Sequence, residues 1–68
     1  MSHLSEPSLL TVDEAARVLR LSVRTLERLR LSGDGPRYAK LGKRVLYPSN
    51  ELGVWIASKV TTSTSASA

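Results

Sequence analysis

The stretch Ser22-Val23-Arg24-Thr25-Leu26-Glu27-Arg28-Leu29-Arg30-Leu31-Ser32-Gly33 has the residue pattern of one short helix together with both of its ends. Ser22 is a favoured N-cap residue, and Gly33 is a favoured residue just past a helix C-terminus. Apolar residues recur at three-residue steps, as on one face of a helix: Val23, Leu26 and Leu29. At about 100° per residue, Arg24 and Arg28 lie on the opposite face. The pattern therefore predicts a helix with an apolar side for a core and a cationic side for a ligand.

The two outward arginines are unfavourable for this helix on its own. Like charges four residues apart repel each other by about 0.2–0.5 kcal/mol. Arg24 also lies in the first turn, near the positive end of the helix dipole. A polyanion along this face would remove both penalties, whereas ordinary solvation of Arg24 and Arg28 is the alternative interpretation.

A second predicted helix comes immediately before this one in the chain. Thr11 and Glu14 have the spacing of a capping box. The apolar residues that follow have the i, i+3, i+4, i+7 spacing of a buried stripe: Val12, Ala15, Ala16 and Leu19. Only Arg20-Leu21-Ser22 separates the two helices, so they must cross steeply. The pair predicts a helix-turn-helix unit whose second helix faces outward.

Two short strands are predicted after a turn-rich loop at Asp34-Gly35-Pro36. Residues 37–41 and 44–47 flank Gly42-Lys43, a pair that suits a type II′ hairpin. Alternation along the strands predicts one face with Ala39, Leu41, Val45 and Tyr47, and another with Tyr38, Lys40, Arg44 and Leu46. Three basic residues surround the turn: Lys40, Lys43 and Arg44. We expect a basic wing that reaches phosphates or the minor groove, the alternative being lysines that only discourage edge-strand aggregation.

A third helix is predicted after the hairpin. Pro48 is expected to end the second strand, and Ser49 is expected to cap the helix. Four residues are expected to form its buried face: Leu52, Trp55, Ile56 and Val60. Because Trp55 shares this stripe, we expect it to be a core residue and not a base-stacking one.

The two ends of the sequence differ in composition from its middle. The segment 1–9 is short, polar and interrupted by Pro7, which predicts a flexible lead-in. Residues 61–68 consist only of Thr, Ser and Ala, which predicts a disordered tail. The segment 10–60 is then one small domain whose core is marginal.

Charge and composition narrow the class of function. Nine of the ten basic residues lie between positions 17 and 44, where only Glu27 and Asp34 oppose them. Such a segment favours a phosphate-rich partner. The sequence has no cysteine, one histidine in the lead-in, no paired carboxylates and no glycine-rich phosphate loop. We therefore expect no enzyme activity, no cofactor and no metal. Without an apolar leader or a long apolar run, a cytoplasmic, nucleoid-associated location is expected.

Fragments spread from Leu10 to Ile56 are individually weak, but their order and spacing together are specific. They are Leu10-Thr11-Val12 with Glu14-Ala15-Ala16, Leu21-Ser22 with Thr25-Leu26 and Arg28, Gly35-Pro36, Lys40-Leu41-Gly42-Lys43-Arg44-Val45 with Tyr47, and Leu52 with Trp55-Ile56. In these fragments the chain resembles the excisionase-like, MerR-related helix-turn-helix family. That family includes phage and integrative-element excision factors and AlpA-like regulators.

The resemblance implies an α+β, mostly helical fold, a small winged helix-turn-helix with a third helix. Its second helix would enter the major groove and its wing would contact the backbone or the minor groove. These roles fall on Ser22, Arg24, Thr25 and Arg28 in the helix, and on Lys40, Lys43 and Arg44 in the wing. From the residues themselves, Glu27 could accept a hydrogen bond from cytosine or orient a neighbouring arginine, and we favour the second role. Arg30 is expected to make a flanking backbone contact.

Two positions depart from the pattern of the family. Arg20 stands in the turn where such proteins often have glycine, so we expect either a less relaxed backbone at Arg20 or a slightly different turn. Leu29 stands where many relatives carry tryptophan, which predicts a smaller core beneath the second helix.

By this resemblance the protein would be a recombination directionality factor that biases a partner integrase toward excision. One such module buries only about 600–1,000 Å² on double-stranded DNA. We therefore expect cooperative self-association on DNA and weak association in solution. The alternatives are an AlpA-like transcriptional regulator of a mobile element and a basic module that binds an acidic protein.

Overall fold

A computed structural model describes residues 8–62 as three helices around a small antiparallel sheet. In chain order the elements are β1 (Leu9–Leu10), α1 (Val12–Leu19), α2 (Val23–Ser32), β2 (Ala39–Leu41), β3 (Arg44–Pro48) and α3 (Ser49–Lys59). The strand order is β1-β3-β2, with β3 in the centre. This confirms the predicted α+β winged helix-turn-helix fold. Most of the predicted lead-in and tail lies outside the described residues.

The side-chain caps predicted for the first two helices are present. Thr11 Oγ1 accepts a hydrogen bond from the backbone N–H of Glu14 at 3.2 Å, and the Thr11 N–H donates to Glu14 Oε1 at 2.9 Å. Ser22 Oγ accepts from the Thr25 N–H at 3.0 Å. Gly33 ends α2 in the left-handed conformation, with φ of 83°. Both helices therefore begin and end where the local sequence satisfies their free backbone groups.

The turn between α1 and α2 depends on an unusual backbone conformation. Arg20 has φ of 59°, and it is the one non-glycine residue with a positive φ among residues 8–62. Its N–H donates to Arg17 O at 3.1 Å, and the Leu21 N–H donates to Ala16 O at 2.9 Å. The left-handed region costs a residue with a Cβ about 1–2 kcal/mol. The arginine at this position is therefore strained, which is the first of the two outcomes expected from the departure from glycine.

The core lies where α1, α2, α3 and β3 meet. Its fully buried side chains are Ala15, Ala16, Leu26, Tyr47 and Leu52. Because the two alanines are small, α2 approaches α1 closely enough to seat Leu26, which is 0% exposed. Leu29 is only half-buried, and the following loop packs on it: a Cβ built on Gly35 would lie 3.0 Å from Leu29 Cβ.

A short N-terminal strand was not predicted. Leu9 pairs with Pro48 and Leu10 with Tyr47, so Leu9 is in the sheet and not in a lead-in. The backbone N–H of Ser49 donates to Ser8 O at 2.8 Å, and the Ser8 N–H donates to Ser49 Oγ at 3.1 Å. A strand of two residues has no periodicity of its own, and only its partner strand defines it.

The start of α3 differs from the prediction for the same reason. Pro48 does not end β3 but belongs to it, because β1 pairs with β3 at this residue. Pro48 also occupies the N-cap position of α3, where no side chain caps the helix. Ser49 is the first helical residue, and its hydroxyl holds Ser8 instead of capping the helix.

The hairpin turn is confirmed, but the predicted division of its faces is wrong. Leu41 pairs with Arg44 around Gly42-Lys43, and Gly42 has a positive φ of 65°. Residues directly opposite on antiparallel strands share a face. One face therefore contains Ala39, Leu41, Arg44 and Leu46, and the other contains Tyr38, Lys40, Val45 and Tyr47. A two-residue turn pairs the residues on either side of it, so the alternation could not simply continue from β2 into β3.

The predicted buried face of α3 is partly wrong. Leu52 is buried and Trp55 is half-buried, but Ile56 is 41% and Val60 71% exposed. Trp55 Nε1 donates to the backbone oxygen of Asp34 at 2.8 Å, so this tryptophan holds the loop after α2 in place and is not a wholly buried core residue. Ile56 and Val60 instead line an open groove beside the C-terminal end of α1.

Candidate nucleic-acid interface

The outward face of α2 carries Arg24 and Arg28, as the sequence predicted. Both side chains are exposed, and neither forms an ion pair within residues 8–62. Leu31 lies beside them and is 79% exposed. Burial of Leu26 on the opposite side fixes the rotation of the helix. The face therefore offers two unpaired guanidinium groups one helical turn apart.

Two hydroxyl side chains lie at the N-terminal end of α2. Ser22 Oγ accepts from the Thr25 N–H and donates to Thr25 Oγ1 at 2.9 Å. Ser22 is therefore occupied as a cap, while Thr25 keeps a hydroxyl proton that it can donate. Glu27 is exposed and contacts neither Arg24 nor Arg28 through an ion pair in the described part of the chain, so its predicted orienting role has no contact behind it.

The hairpin presents its cations in several directions. Lys40, Lys43 and Arg44 are all exposed, and Lys43 lies in the turn. The pairing of Lys40 with Val45 and of Leu41 with Arg44 places Lys40 and Arg44 on opposite faces. The wing therefore has one cation on each face and one at the tip, and not the common face for Lys40 and Arg44 that the alternation predicted.

Arg30 joins α2 to the base of the hairpin. Its Cζ lies 5.7 Å from the centroid of the Tyr38 ring, and the Tyr38 and Tyr47 rings are 6.0 Å apart at an interplanar angle of 49°. Burial raises the pKa of Tyr47, and the positive charge of Arg30 opposes part of that rise. Arg30 Nε and Tyr47 Oη are both buried, and neither has a hydrogen-bond partner among the described residues. Arg30 thus lies away from the outward face of Arg24 and Arg28.

A family model described as a helix-turn-helix domain matches residues 9–60, a range that includes every helix and strand described above. The chain belongs to this helix-turn-helix domain family. The match supports sequence-specific DNA binding, and DNA is accordingly the partner of this helix-turn-helix domain. A search of curated proteins finds no match to the chain. The individual contact residues in α2 and the hairpin stay predictions.

Arg37 is one of the basic residues of the helix-turn-helix domain that were not among the predicted contacts. Arg37 is exposed and lines a cleft of about 280 Å³ together with Arg30, between the end of α2 and the start of β2. Its place in the basic segment 17–44, directly after Pro36, is the sequence feature that points to Arg37 as a DNA contact. The loop has no helix or strand periodicity, so the residue pattern does not show which way the Arg37 side chain points.

Across residues 8–62, no group of three or more His, Asp or Glu side chains is placed to hold a metal ion. Over the same residues, no helix is long and apolar enough to cross a membrane.

Proposed function

We propose that this helix-turn-helix protein is a recombination directionality factor, without enzymatic activity and located with the cytoplasmic nucleoid. It would bind beside an attachment site, bend or organise the DNA, and bias a partner integrase toward excision. The observation that carries the DNA-binding part is the pair of exposed, unpaired arginines on the outward face of α2. The excision part rests on the resemblance to excision factors.

The proposed recognition step places α2 in the major groove. There Arg24 and Arg28 read base edges or hold phosphates, and a bidentate arginine contact to guanine is worth about 1–3 kcal/mol of discrimination. The free hydroxyl proton of Thr25 can be donated to a base or to a phosphate. Ser22 acts mainly through the helix cap, which fixes where Thr25 and Arg24 stand.

The proposed role of the hairpin is to hold the DNA backbone. Lys43 at the tip reaches into or across the minor groove, while Lys40 and Arg44 contact phosphates on the two sides of the wing. Such contacts add affinity that does not depend on sequence.

The small size of the domain favours assembly on DNA. One module buries about 600–1,000 Å² of protein surface and binds modestly. Useful occupancy therefore calls for several copies on adjacent repeats, or for help from a DNA-bound integrase. Copies placed along one groove would also bend the duplex, which is the proposed route to organising the attachment site.

An AlpA-like regulator of transcription would use the same surface, and it differs only in what lies next to its binding site. A basic module for an acidic protein is a more distant alternative, and competition by duplex DNA would distinguish it.

An excision assay tests the proposed function. Purified integrase and a substrate carrying both attachment sites are incubated with and without this protein, and with an Arg24→Ala/Arg28→Ala variant. Excision should rise with the wild-type protein and not with the variant. DNA binding without any change in excision, accompanied by altered transcription of a neighbouring promoter, would favour the regulator instead.

A further inference from the structure

The cleft between α2 and β2 contains two arginines and no carboxylate. Arg30 and Arg37 line it together with Gly33, Gly35, Pro36 and Tyr38. Neither arginine forms an ion pair within residues 8–62. The acidic residues nearest in sequence are Glu27, three residues before Arg30, and Asp34, three residues before Arg37; both are exposed and neither lines the cleft. The Asp34 carboxylate accepts a hydrogen bond from Ser32 Oγ at 3.2 Å. The cleft therefore concentrates positive charge that no described side chain neutralises.

The loop that forms the floor of this cleft is held from three sides. Gly35 packs directly on Leu29, and a Cβ at Gly35 would approach the Leu29 Cβ to 3.0 Å and its backbone carbon to 3.4 Å. The Asp34 carbonyl accepts the Trp55 Nε1 hydrogen bond at 2.8 Å. Pro36 is buried. The cleft is thus preorganised, which lowers the entropic cost of placing a ligand in it.

Arg30 is positioned before any ligand arrives. Its guanidinium lies against the Tyr38 ring, and its Nε is buried without a hydrogen-bond partner in the described chain. A partly desolvated guanidinium without an anionic partner is unfavourable, and its planar donors match a phosphate in a bidentate geometry. A phosphate in the cleft would give this guanidinium group an anionic partner.

We propose that this cleft binds one backbone phosphate of DNA, with Arg30 and Arg37 donating hydrogen bonds to its non-bridging oxygens. The inference rests on the proposed DNA binding and deepens it, because it adds a contact outside both the outward face of α2 and the hairpin tip. It also gives Arg37 a role, and it gives Arg30 a partner for its flanking backbone contact.

The test measures how DNA affinity depends on salt for Arg37→Gln and for a matched control, Lys59→Gln. Both changes remove one exposed positive charge, but Lys59 is on α3 against the Trp55 ring, outside the cleft. Binding to a fluorescent duplex of about 20 base pairs is followed by anisotropy over a salt series. Loss of one phosphate contact should reduce the slope of log affinity against log salt by about 0.9 and weaken binding about eightfold at 0.1 M salt. Lys59→Gln should match the wild type.

A second comparison asks whether the two arginines share one phosphate. Because the proposed site holds its one phosphate only when both guanidinium groups are present, Arg30→Gln alone and the double variant Arg30→Gln/Arg37→Gln should each reduce the slope by about 0.9, as Arg37→Gln does. A double variant that loses about twice that slope would show two separate contacts and overturn the shared site. Thermal melting shows whether the Arg30 variants remain folded. If they unfold, the salt slope of Arg37→Gln alone decides whether the cleft contacts DNA.

The remaining outcomes separate this inference from the proposed function. Equal losses for Arg37→Gln and Lys59→Gln overturn the cleft, because they reflect general electrostatics. If Arg24→Ala weakens duplex binding and Arg37→Gln does not, the cleft is wrong while DNA binding by α2 stands. If the wild type binds sodium phosphate at this cleft in an NMR titration but does not bind the duplex, the phosphate does not come from DNA. Both proposals then fail.

Discussion

The second helix and the hairpin both carry cations, but they are fixed in different ways. Helix α2 is capped at both ends, is anchored by the buried Leu26, and presents Arg24 and Arg28 on one face. The hairpin is anchored at its base by Tyr47, and its cations are distributed over two faces and a tip. A single rigid face is suited to reading base edges. Cations spread around a tip are suited to holding the DNA backbone. Under the proposed function, α2 would therefore contribute specificity and the hairpin affinity.

The largest expected effect comes from removing the anchor of α2. Leu26→Ala should lower the free energy of unfolding by about 2–5 kcal/mol, because the side chain is 0% exposed and its loss leaves a cavity. In so small a domain this is a large share of the total stability. Urea or thermal unfolding followed by circular dichroism measures it. A loss below about 1 kcal/mol would show that α2 is not seated through this residue.

Gly35→Ala tests the loop that joins α2 to the hairpin. The new Cβ would lie 3.0 Å from Leu29 Cβ, and overpacking of this kind costs about 1–3 kcal/mol. Gly53→Ala is the matched control: nothing lies within 4 Å of its new Cβ, and alanine favours a helix interior over glycine by about 0.8–1.0 kcal/mol. Unfolding curves should therefore shift in opposite directions. Shifts of the same sign would contradict the close packing at Gly35.

Arg28→Ala and Lys43→Ala compare the two elements directly on DNA. Arg28→Ala should cost about 1–3 kcal/mol of discrimination between specific and non-specific sites. Lys43→Ala should weaken binding to both kinds of site alike. Electrophoretic mobility shifts against a selected site and a scrambled duplex provide the two affinities. If the variants lose specific and non-specific affinity in the same proportion, α2 and the hairpin do not have separate roles.

Tyr47→Phe is expected to have the smallest effect near neutral pH. The Tyr47 hydroxyl is buried without a partner in the described chain, so its removal should change stability by no more than about 1 kcal/mol, toward greater stability. Because burial raises the pKa of Tyr47, the folded state disfavours the phenolate. The stability that the neutral Tyr47 phenol contributes is complete below the usual tyrosine pKa of 10.0. It is lost as the pH rises through the raised pKa of the folded state. Alkaline melts should therefore show a smaller loss of stability for Tyr47→Phe than for the wild type.

Local signals predicted the helix-turn-helix half of the molecule well. Thr11 with Glu14, and Ser22 with Gly33, define their helices through hydrogen bonds within a few residues. The face of α2 that carries Arg24 follows from helical geometry alone. The fold of this half was therefore readable from the sequence.

The hairpin and α3 were less predictable because distant partners decide them. Leu9 forms a strand only because Pro48 is its partner, and Ser49 bonds to Ser8, from which it is separated by most of the chain. Ile56 lies in a groove beside the end of α1. The helical periodicity of α3 does not show where α1 ends, so it could not predict that Ile56 is exposed. Arg37 lies in a loop, where residue spacing does not reveal the direction of a side chain.

The central claim is that α2 and the hairpin face the same duplex, and NMR tests it most directly. Amide chemical shifts of the ¹⁵N-labelled protein are compared before and after addition of one equivalent of duplex DNA. The account predicts shifts at Arg24, Arg28 and Lys43, with Ile56 and Val60 unchanged. Shifts confined to the exposed side of α3, or shifts in α2 with a hairpin that does not respond, would contradict it.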